Sequence, residues 1–501
     1  MSLETDIAHW QTVIEKYARE EGLDFFDTIF ELVDSEQINS LAAFGGFPVR
    51  YPHWRFGMDY DQLSKGYTWG MQKIYEMVIN TDPSYAYLVR SNSMTDHKMV
   101  MAHVYGHVDF FKNNYWFSKT NRKMLDRMAN NAVRVREMME TYGQEKVESF
   151  IDCCLALENL IDPELPFQEN KKEDQTQNEN PDGKLRVDRP YMEKFINPKD
   201  FVESQRKRIR EEKEKQKKIP PEPQKDILLF LMNYAPLEKW EHDCLRIIRE
   251  EAYYFVPQMQ TKIMNEGWAS YWHSKLMTEK IMTDDEVIDF ADRHSGTMAS
   301  APGQINPYKL GIELFRDIED RWNRGAFGKE YEDCDDLVMK ANWDKKLGKG
   351  REKIFEVRKV YNDLTFIDAY LTPEFVERQK LYTYEFNRRT NQYEIVDRDF
   401  HNIKEKLLAG LTNRGQPFIY VEEGNFENRG ELLLWHKHQG VDLDTKWASE
   451  TLRSLERIWR RPVNIRTTIE KQGKYLRVEQ GSYSEKLFNS NNSSKEQAGE
   501  R

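Results

Sequence analysis

The chain has 501 residues, a net charge of −11 and a hydrophobic share of 39%. The acidic balance disfavours a general nucleic-acid binder, which normally carries a basic domain or stripe, and no stretch approaches the roughly 18 to 20 apolar residues of a membrane span. The aromatic share of 13% argues against wholesale disorder, because aromatic side chains supply large buried areas. This length exceeds one ordinary core, so at least two domains are expected.

The N-terminus and the cysteines bear on location. The N-terminal sequence lacks the basic start and apolar centre of a signal peptide. The four cysteines include the adjacent pair Cys153 and Cys154 and form no C-x-x-C motif. This usage favours neither a disulfide framework nor a thiolate zinc site. We therefore expect a soluble protein of a reducing compartment.

The first predicted elements are helical. Ile7, Trp10 and Ile14 share one face of a helix that Gly22 ends, and helical patterns fill residues 60–160. We assign residues 1–162 to the N-terminal part of a large helical domain.

Composition changes after residue 162. Residues 163–226 are charged and proline-rich, which is typical of a partly disordered linker. Helical patterns return over 227–371, as the second part of the main domain. Residues 372–481 alternate strand and helix patterns and predict a small α+β domain, and 482–501 predict a disordered tail. The predicted fold class is thus mainly α, with a small C-terminal α+β domain.

Two histidines lie four residues apart in "MVMAHVYGHVDFFKNN", residues 99–114. On a helix, His103 and His107 project from one face, which Val100 and Phe111 make apolar. A buried imidazole without a polar partner is costly, and one metal ion satisfies both rings. Two core histidines bonded to carbonyls or carboxylates are the alternative.

A second helix, "VPQMQTKIMNEGWASYWHSKLM", places Glu266 and His273 on one face, at positions i and i+7. A carboxylate directed towards the interior needs a cation or strong donors. Together with the histidine pair, Glu266 makes a His₂Glu set, which suits a divalent metal. Zinc comes first, and iron is the alternative because a 2-His-1-carboxylate set also binds it. The alternative without a metal is an internal salt bridge or a hydrogen bond between a glutamate and a histidine.

These two helices resemble those of the gluzincin metallopeptidases. "HVYGH" is similar to their H-E-F-G-H helix, and "EGWASYW" to the later helix that carries their third zinc ligand. The resemblance implies a gluzincin-like helical domain with His103, His107 and Glu266 as metal ligands. Val104 departs from the motif, because it stands where the general-base glutamate is expected and valine cannot accept a proton.

Four other residues are candidates near this predicted site. His273 is either a fourth metal ligand, which would make the site structural, or a substitute for the missing base. The remaining catalytic candidates are Tyr105, Tyr271 and His294.

Longer stretches resemble the stage V sporulation protein R (SpoVR) family. They include "RYPHWRFG", "AHVYGHVDFFKNN", "NEGWASYWH", "HSGTMASAPGQINPYKLG" and "GNFENRGELLLWHKHQGVDLD". The resemblance implies a cytoplasmic protein involved in forming the spore cortex, a peptidoglycan layer. Relatives also occur in bacteria that do not sporulate, often encoded beside a serine protein kinase and a von Willebrand-type protein, which are therefore the expected partners.

The family carries no agreed biochemical activity, so three hypotheses follow. The first is a zincin-like metal-dependent hydrolase, or a regulator of peptidoglycan assembly, that lacks the usual base. The second is a non-catalytic scaffold in which the His/Glu cluster is structural. The third is an iron centre with a redox role.

Overall fold

The computed structural model describes residues 3–68, 76–168, 198–205, 207 and 218–488. The labelled helices are α1 Leu3–Glu20, α2 Ser35–Ala43, α3 Trp54–Thr68, α4 Met94–Asn113, α5 Met124–Tyr142, α6 Gln144–Leu155, α7 Ile227–Tyr234, α8 Lys239–Gln260, α9 Lys262–Leu276, α10 Val287–Met298, α11 Pro307–Arg324, α12 Lys329–Glu332, α13 Leu337–Ala341, α14 Gly350–Val360, α15 Asp363–Tyr370, α16 Pro373–Gln379, α17 Phe400–Leu411 and α18 Thr445–Trp459. The strands are β1 Thr28–Val33, β2 Glu76–Ile79, β3 Ser84–Val89, β4 Thr383–Asn387, β5 Gln392–Asp397, β6 Ile419–Phe426, β7 Glu431–His436, β8 Val463–Ile469, β9 Gln472–Glu479 and β10 Ser482–Leu487. Within these ranges, no helix has both the length and the apolar character needed to cross a membrane.

The chain forms two compact units, each built from two separate segments. The first unit comprises Met1–Gln144 and Tyr254–Gly415, and the second comprises Glu145–Tyr253 and Gln416–Arg501. The predicted main domain likewise consisted of two separate segments, residues 1–162 and 227–371, whereas the first unit pauses after Gln144 and resumes at Tyr254.

The core of the first unit is a stack of three helices. α9 contacts both α4 and α11, and their apolar side chains share one buried cluster. Glycines permit the close approach: a Cβ on Gly106 of α4 would lie 2.7 Å from the Ala269 Cα, and one on Gly311 of α11 would lie 2.1 Å from the Ile263 carbonyl oxygen. Any larger residue at these positions would force the helices apart.

A three-stranded sheet of order β1-β3-β2 lies in the same unit, with β1 parallel and β2 antiparallel to β3. The prediction of helix throughout 60–160 is therefore wrong over residues 76–89. β3, whose sequence is "SYAYLV", is buried at five of its six positions. A strand buried on both faces shows no polar alternation, so its pattern is hard to distinguish from that of a buried helix.

The β4–β5 hairpin and α17 also belong to the first unit. The strand and helix patterns predicted there are confirmed, and the C-terminal segment of the second unit begins at Gln416. The side chain of Ile403 on α17 lies in the core cluster of the first unit, which explains why this segment groups with the helices.

The second unit has a five-stranded sheet of order β10-β9-β8-β7-β6. β7 and β8 are parallel and the other pairs are antiparallel. α18 joins the two parallel strands and packs on β8 and β9. On β7, the buried His436 places Nδ1 2.8 Å from the Thr467 hydroxyl.

The predicted linker and tail are described only in part. Most of the linker, residues 169–197, 206 and 208–217, lies outside the described residues, as do residues 489–501. Within the linker, Gln224 exchanges backbone hydrogen bonds with Val421 of β6. Residues 482–487, predicted as part of the tail, form β10. The predicted fold class, mainly α with a small C-terminal sheet-containing unit, is confirmed.

Candidate metal centre

α4 is a buried helix that begins with a capping box. The Ser93 hydroxyl accepts from the Asp96 backbone N–H, and the Asp96 carboxylate accepts from that of Ser93. These bonds satisfy donors that a helix start otherwise leaves open. The cap fixes the start of a helix on which His103 and His107 are 7% and 5% exposed.

α9 carries Glu266 and is anchored at its own start. The buried Asp363 carboxylate accepts hydrogen bonds from the backbone N–H groups of Ile263 and Met264, at 2.8 and 2.9 Å. The start of the helix is therefore fixed one turn before Glu266. The close contact between Gly106 and Ala269 then sets the distance between the histidine helix and the glutamate helix.

The two histidines and Glu266 converge on one point. Glu266 Oε2 lies 3.6 Å from His103 Nε2 and 3.5 Å from His107 Nε2. In a tetrahedral zinc site with bonds of about 2.0–2.1 Å, neighbouring ligand atoms are about 3.3–3.4 Å apart. The observed spacing thus fits a cation held between the three side chains.

Glu76, the first residue of β2, supplies a second carboxylate. Its Oε1 lies 3.5 Å from His103 Nε2, and Glu76, His103 and His107 can each direct one donor atom to a common ion. The other oxygen, Oε2, is buried without a hydrogen-bond partner. Since an unpaired buried carboxylate oxygen is costly, its position fits a cation or a bound polar group at this point.

The second nitrogen of each imidazole is also engaged. His107 Nδ1 lies 2.9 Å from Asn265 Oδ1, and an amide oxygen only accepts, so Nδ1 carries the proton. His103 Nδ1 lies 2.8 Å from His273 Nδ1. Such contacts orient metal-binding histidines and direct the lone pair of Nε2 towards the ion.

The surroundings shift the pKa values of the two carboxyl groups in opposite directions. Burial favours a raised pKa for Glu266, but the contacts with His103 and His107 outweigh it and hold that pKa well below its usual range. Burial raises the pKa of Glu76, and the two histidines offset this only in part. Glu266 is therefore the ionised carboxylate of the pair, and Glu76 is the one that more readily holds a proton.

The centre opens onto a cleft of about 540 Å³. Its wall includes Glu76, His103, His273 and Tyr308. Tyr308, the second residue of α11, lies against His103 with nearly parallel rings. Burial, followed by the charges of Glu266 and Glu76, raises the pKa of the Tyr308 hydroxyl.

Comparison with known proteins assigns the family. The SpoVR profile, described as "SpoVR like protein", matches residues 3–416. The chain belongs to the SpoVR family. This membership relates the protein to sporulation. The match covers the first unit from residue 3 onwards and includes both helices of the candidate centre.

A relative from Escherichia coli K12 is 29% identical over 476 residues, which cover 89% of this chain and 88% of that protein. Its name is "Uncharacterized protein YcgB". No solved structure matches the chain. The likeness to gluzincins and the metal itself thus stay predictions.

The structure places the sequence candidates at different distances from the centre. His103, His107 and Glu266 are brought together. His273 lies behind His103: its Nδ1 contacts the Nδ1 of His103, and its Nε2 lies 3.2 Å from the Nδ1 of His294. His273 and His294 therefore form a row that leads away from the point where the Nε2 atoms converge.

The other candidates point elsewhere. Tyr105 packs between Phe25 and Phe30 on another face of α4. The Tyr271 hydroxyl donates to Glu319, at 2.7 Å. Val104 is fully buried in the core cluster, so its side chain packs between helices.

Sequence reasoning missed two residues at the centre, Glu76 and Tyr308. Glu76 opens a strand that the helical prediction overlooked, and no local spacing connects it to His103. Tyr308 follows the Asn306 cap and Pro307, and its place after a helix start gave no signal of the contact with His103.

Proposed function

We propose that this SpoVR family member is a metal-dependent hydrolase whose cation is held by His103, His107 and Glu266. One observation carries the proposal: Glu266 Oε2 lies 3.5–3.6 Å from the Nε2 atoms of both histidines, and His103 lines a cleft. Zinc is the first choice of cation because two histidines and one glutamate form a common catalytic zinc set. Iron is the second, on the same donor set.

Two further residues at the centre, Glu76 and Tyr308, have side chains suited to hydrolysis. A divalent cation held at this centre would supply Lewis-acid chemistry for hydrolysis. Glu76 reaches the centre from β2 and provides the carboxyl group that Val104 lacks, with the raised pKa that suits a proton carrier. Tyr308 offers a hydroxyl that donates hydrogen bonds at the cleft wall.

The family suggests the process. The link to sporulation and the resemblance to cortex-forming proteins favour a peptidoglycan precursor as substrate, handled in the cytoplasm. The serine protein kinase and the von Willebrand-type protein encoded beside relatives are proposed as partners.

A structural role is the second candidate. Spacings of 3.5–3.6 Å also fit imidazolium–carboxylate pairs, and Glu266 raises the pKa of His107 against the opposing effect of burial. In that case the cluster stabilises the contact between α4 and α9, and the protein acts as a scaffold.

Metal analysis of protein purified without added metal separates these functions. We expect close to one zinc or iron per chain, and its loss from a double variant, His103→Ala with Glu266→Ala. A control double variant, His9→Ala with Glu279→Ala, replaces an exposed histidine and an exposed glutamate and should keep the metal. Absence of metal from the wild type, with no uptake on titration, supports the scaffold instead.

A second variant separates catalysis from structure. Glu76→Gln keeps the shape of the side chain but removes its capacity to accept a proton. We expect it to keep its metal and to lose hydrolysis of amide substrates by at least a hundredfold, the usual scale for a general base. Unchanged hydrolysis in Glu76→Gln would contradict the role assigned to this carboxyl group.

A further inference from the structure

A cavity of about 350 Å³ within the second unit is lined by the C-terminal half of α18 and by the turn that joins β9 to β10. Its volume lies in the range of small-ligand pockets, which begins at about 300 Å³. Arg453 and Arg457 are four residues apart and share one face of the helix, and Arg460 follows as its C-terminal cap. The wall consists of these three arginines with Glu456, Gln480 and Gly481. Such a wall favours an anion.

Glu456, the acidic residue of this wall, is bound by the turn. Its Oε1 accepts a hydrogen bond from the backbone N–H of Gln480, and its Oε2 accepts one from the N–H of Gly481, at 2.9 Å. Both turn residues have a positive φ, which directs their N–H groups to the same carboxylate. Three arginines against one glutamate leave the side chains of the wall with a formal excess of two positive charges.

Two of the arginines are held in place by groups of the second unit. Arg453 donates from Nε to the carbonyl oxygen of Gly481, at 3.1 Å, and its Nη1 bonds to Glu450. Arg460 donates from Nη2 to Glu241. A guanidinium has five N–H donors, so each of these side chains is fixed by some of its donors and keeps others for a ligand.

Arg457 has no carboxylate partner among the residues that the structure describes. Its contact is with the thiol of Cys153, whose sulfur lies 3.9 Å from Nη1. Burial raises the pKa of this thiol, so the sulfur is uncharged near neutral pH and a weak acceptor. The Arg457 guanidinium is therefore a cation without a counter-charge that lines a cavity with two other guanidinium groups. An anion in the cavity would relieve their mutual repulsion.

We propose that this cavity binds a phosphate group, free or at the end of a small molecule, through Arg457 together with Arg453 and Arg460. A phosphate monoester carries about −1.5 to −2 charges at pH 7 and three strong acceptor oxygens, so it can bond to several arginines at once. A carboxylate has one charge and two oxygens and matches the wall less well. The inference is independent of the proposed hydrolase, because the cavity lies outside residues 3–416, which match the family profile.

The test measures binding of glycerol 3-phosphate, inorganic phosphate and acetate by calorimetry at constant ionic strength. The full chain is treated with a chelator, so that no metal ion at the candidate centre binds phosphate. We expect at least one phosphate probe to bind about tenfold more tightly than acetate, and Arg457→Gln to weaken its binding about tenfold. Tighter binding of glycerol 3-phosphate than of inorganic phosphate supports a phosphorylated small molecule as the ligand, and the reverse order supports free phosphate.

Lys446 provides the matched control. It is an exposed cation in the first turn of the same helix and is not among the residues of the cavity wall. Lys446→Gln removes the same charge and should bind phosphate as the wild type does. Thermal unfolding checks that both variants fold. If Arg457→Gln does not, phenylglyoxal, which modifies guanidinium groups, is applied to the wild type; the tighter-binding phosphate probe should slow modification of Arg457, followed by peptide mass mapping, and leave that of Arg316 unchanged.

Three results would overturn the inference. The first is acetate binding as tightly as both phosphate probes, or no binding of either phosphate probe. The second is phosphate binding that is unchanged in a folded Arg457→Gln; a lower thermal midpoint in that variant would then show that the arginines only stabilise the C-terminal end of α18, where cations are favoured. The third is modification of Arg457 by phenylglyoxal at the same rate with and without the phosphate probe.

Discussion

Gly106→Ala should disturb both the packing and the metal centre, because Gly106 lies between the two histidines of α4. A Cβ there would lie 2.7 Å from the Ala269 Cα, whereas ordinary contacts begin at 3.4 Å. α4 and α9 must therefore separate by about 0.7 Å, and no side-chain rotation relieves a contact with backbone. Overpacking of this kind costs up to about 3 kcal/mol, offset by about 1 kcal/mol of helix propensity, which leaves about 2 kcal/mol of destabilisation.

The same displacement reaches the candidate metal centre. The separation would lengthen the 3.5 Å spacing between His107 Nε2 and Glu266 Oε2 to about 4.2 Å, beyond the roughly 3.3–3.4 Å of a tetrahedral site. We expect zinc affinity, measured by competition with a chelator, to fall at least tenfold, and urea unfolding of the metal-free chain to shift to lower urea. Gly57→Ala in α3, where a Cβ meets nothing within 4 Å, should leave zinc affinity unchanged. Wild-type stability and zinc affinity in Gly106→Ala would refute the reasoning.

Three further predictions concern stability. Asp363→Ala removes the acceptor for two N–H groups at the start of α9 and should lower the free energy of unfolding in urea by about 1–2 kcal/mol. Asp363→Asn keeps an acceptor oxygen and should retain most of that stability. An equal loss in both variants would contradict the capping role. Lys98→Met leaves the buried Glu286 carboxylate without its ion-pair partner at 2.9 Å and should lower the free energy of unfolding by about 3–5 kcal/mol. Adding Glu286→Gln should restore part of this stability. A thermal midpoint unchanged by Lys98→Met would contradict the prediction. Burial lowers the pKa of His436 from 6.5 to about 4. As pH falls between these two values, the unfolded chain binds a proton at this histidine before the folded chain does, so stability is lost over this range. His436→Gln should flatten the dependence of the urea midpoint on pH over this range, and an unchanged slope would contradict the prediction.

Local periodicity was sufficient to predict part of the site. His103 and His107 are four residues apart on one helix, and Glu266 lies on an apolar helix face, so spacing alone placed each on a buried surface. Whether the two helices meet is not a local property. In the structure the helices meet at glycines: Gly106 lies against Ala269, and Gly267 lies against Gly311.

Glu76 shows where sequence reasoning ends. It lies 27 residues before His103, on a strand that pairs with β3 rather than following any helical period. Its position depends on sheet pairing, which requires contacts between distant segments. The division into units depends on distant contacts in the same way: the chain leaves the first unit after Gln144 and returns at Tyr254, inside helix α8, where composition shows no break.

The central claim is that His103, His107 and Glu266 hold one divalent cation. Anomalous diffraction at the zinc edge, from crystals of the full chain grown with zinc, tests it most directly. We predict one strong peak about 2.0–2.1 Å from the Nε2 atoms of both histidines and in contact with the Glu266 carboxylate. No peak at this point, with the imidazoles bonded directly to the carboxylates, would contradict the claim.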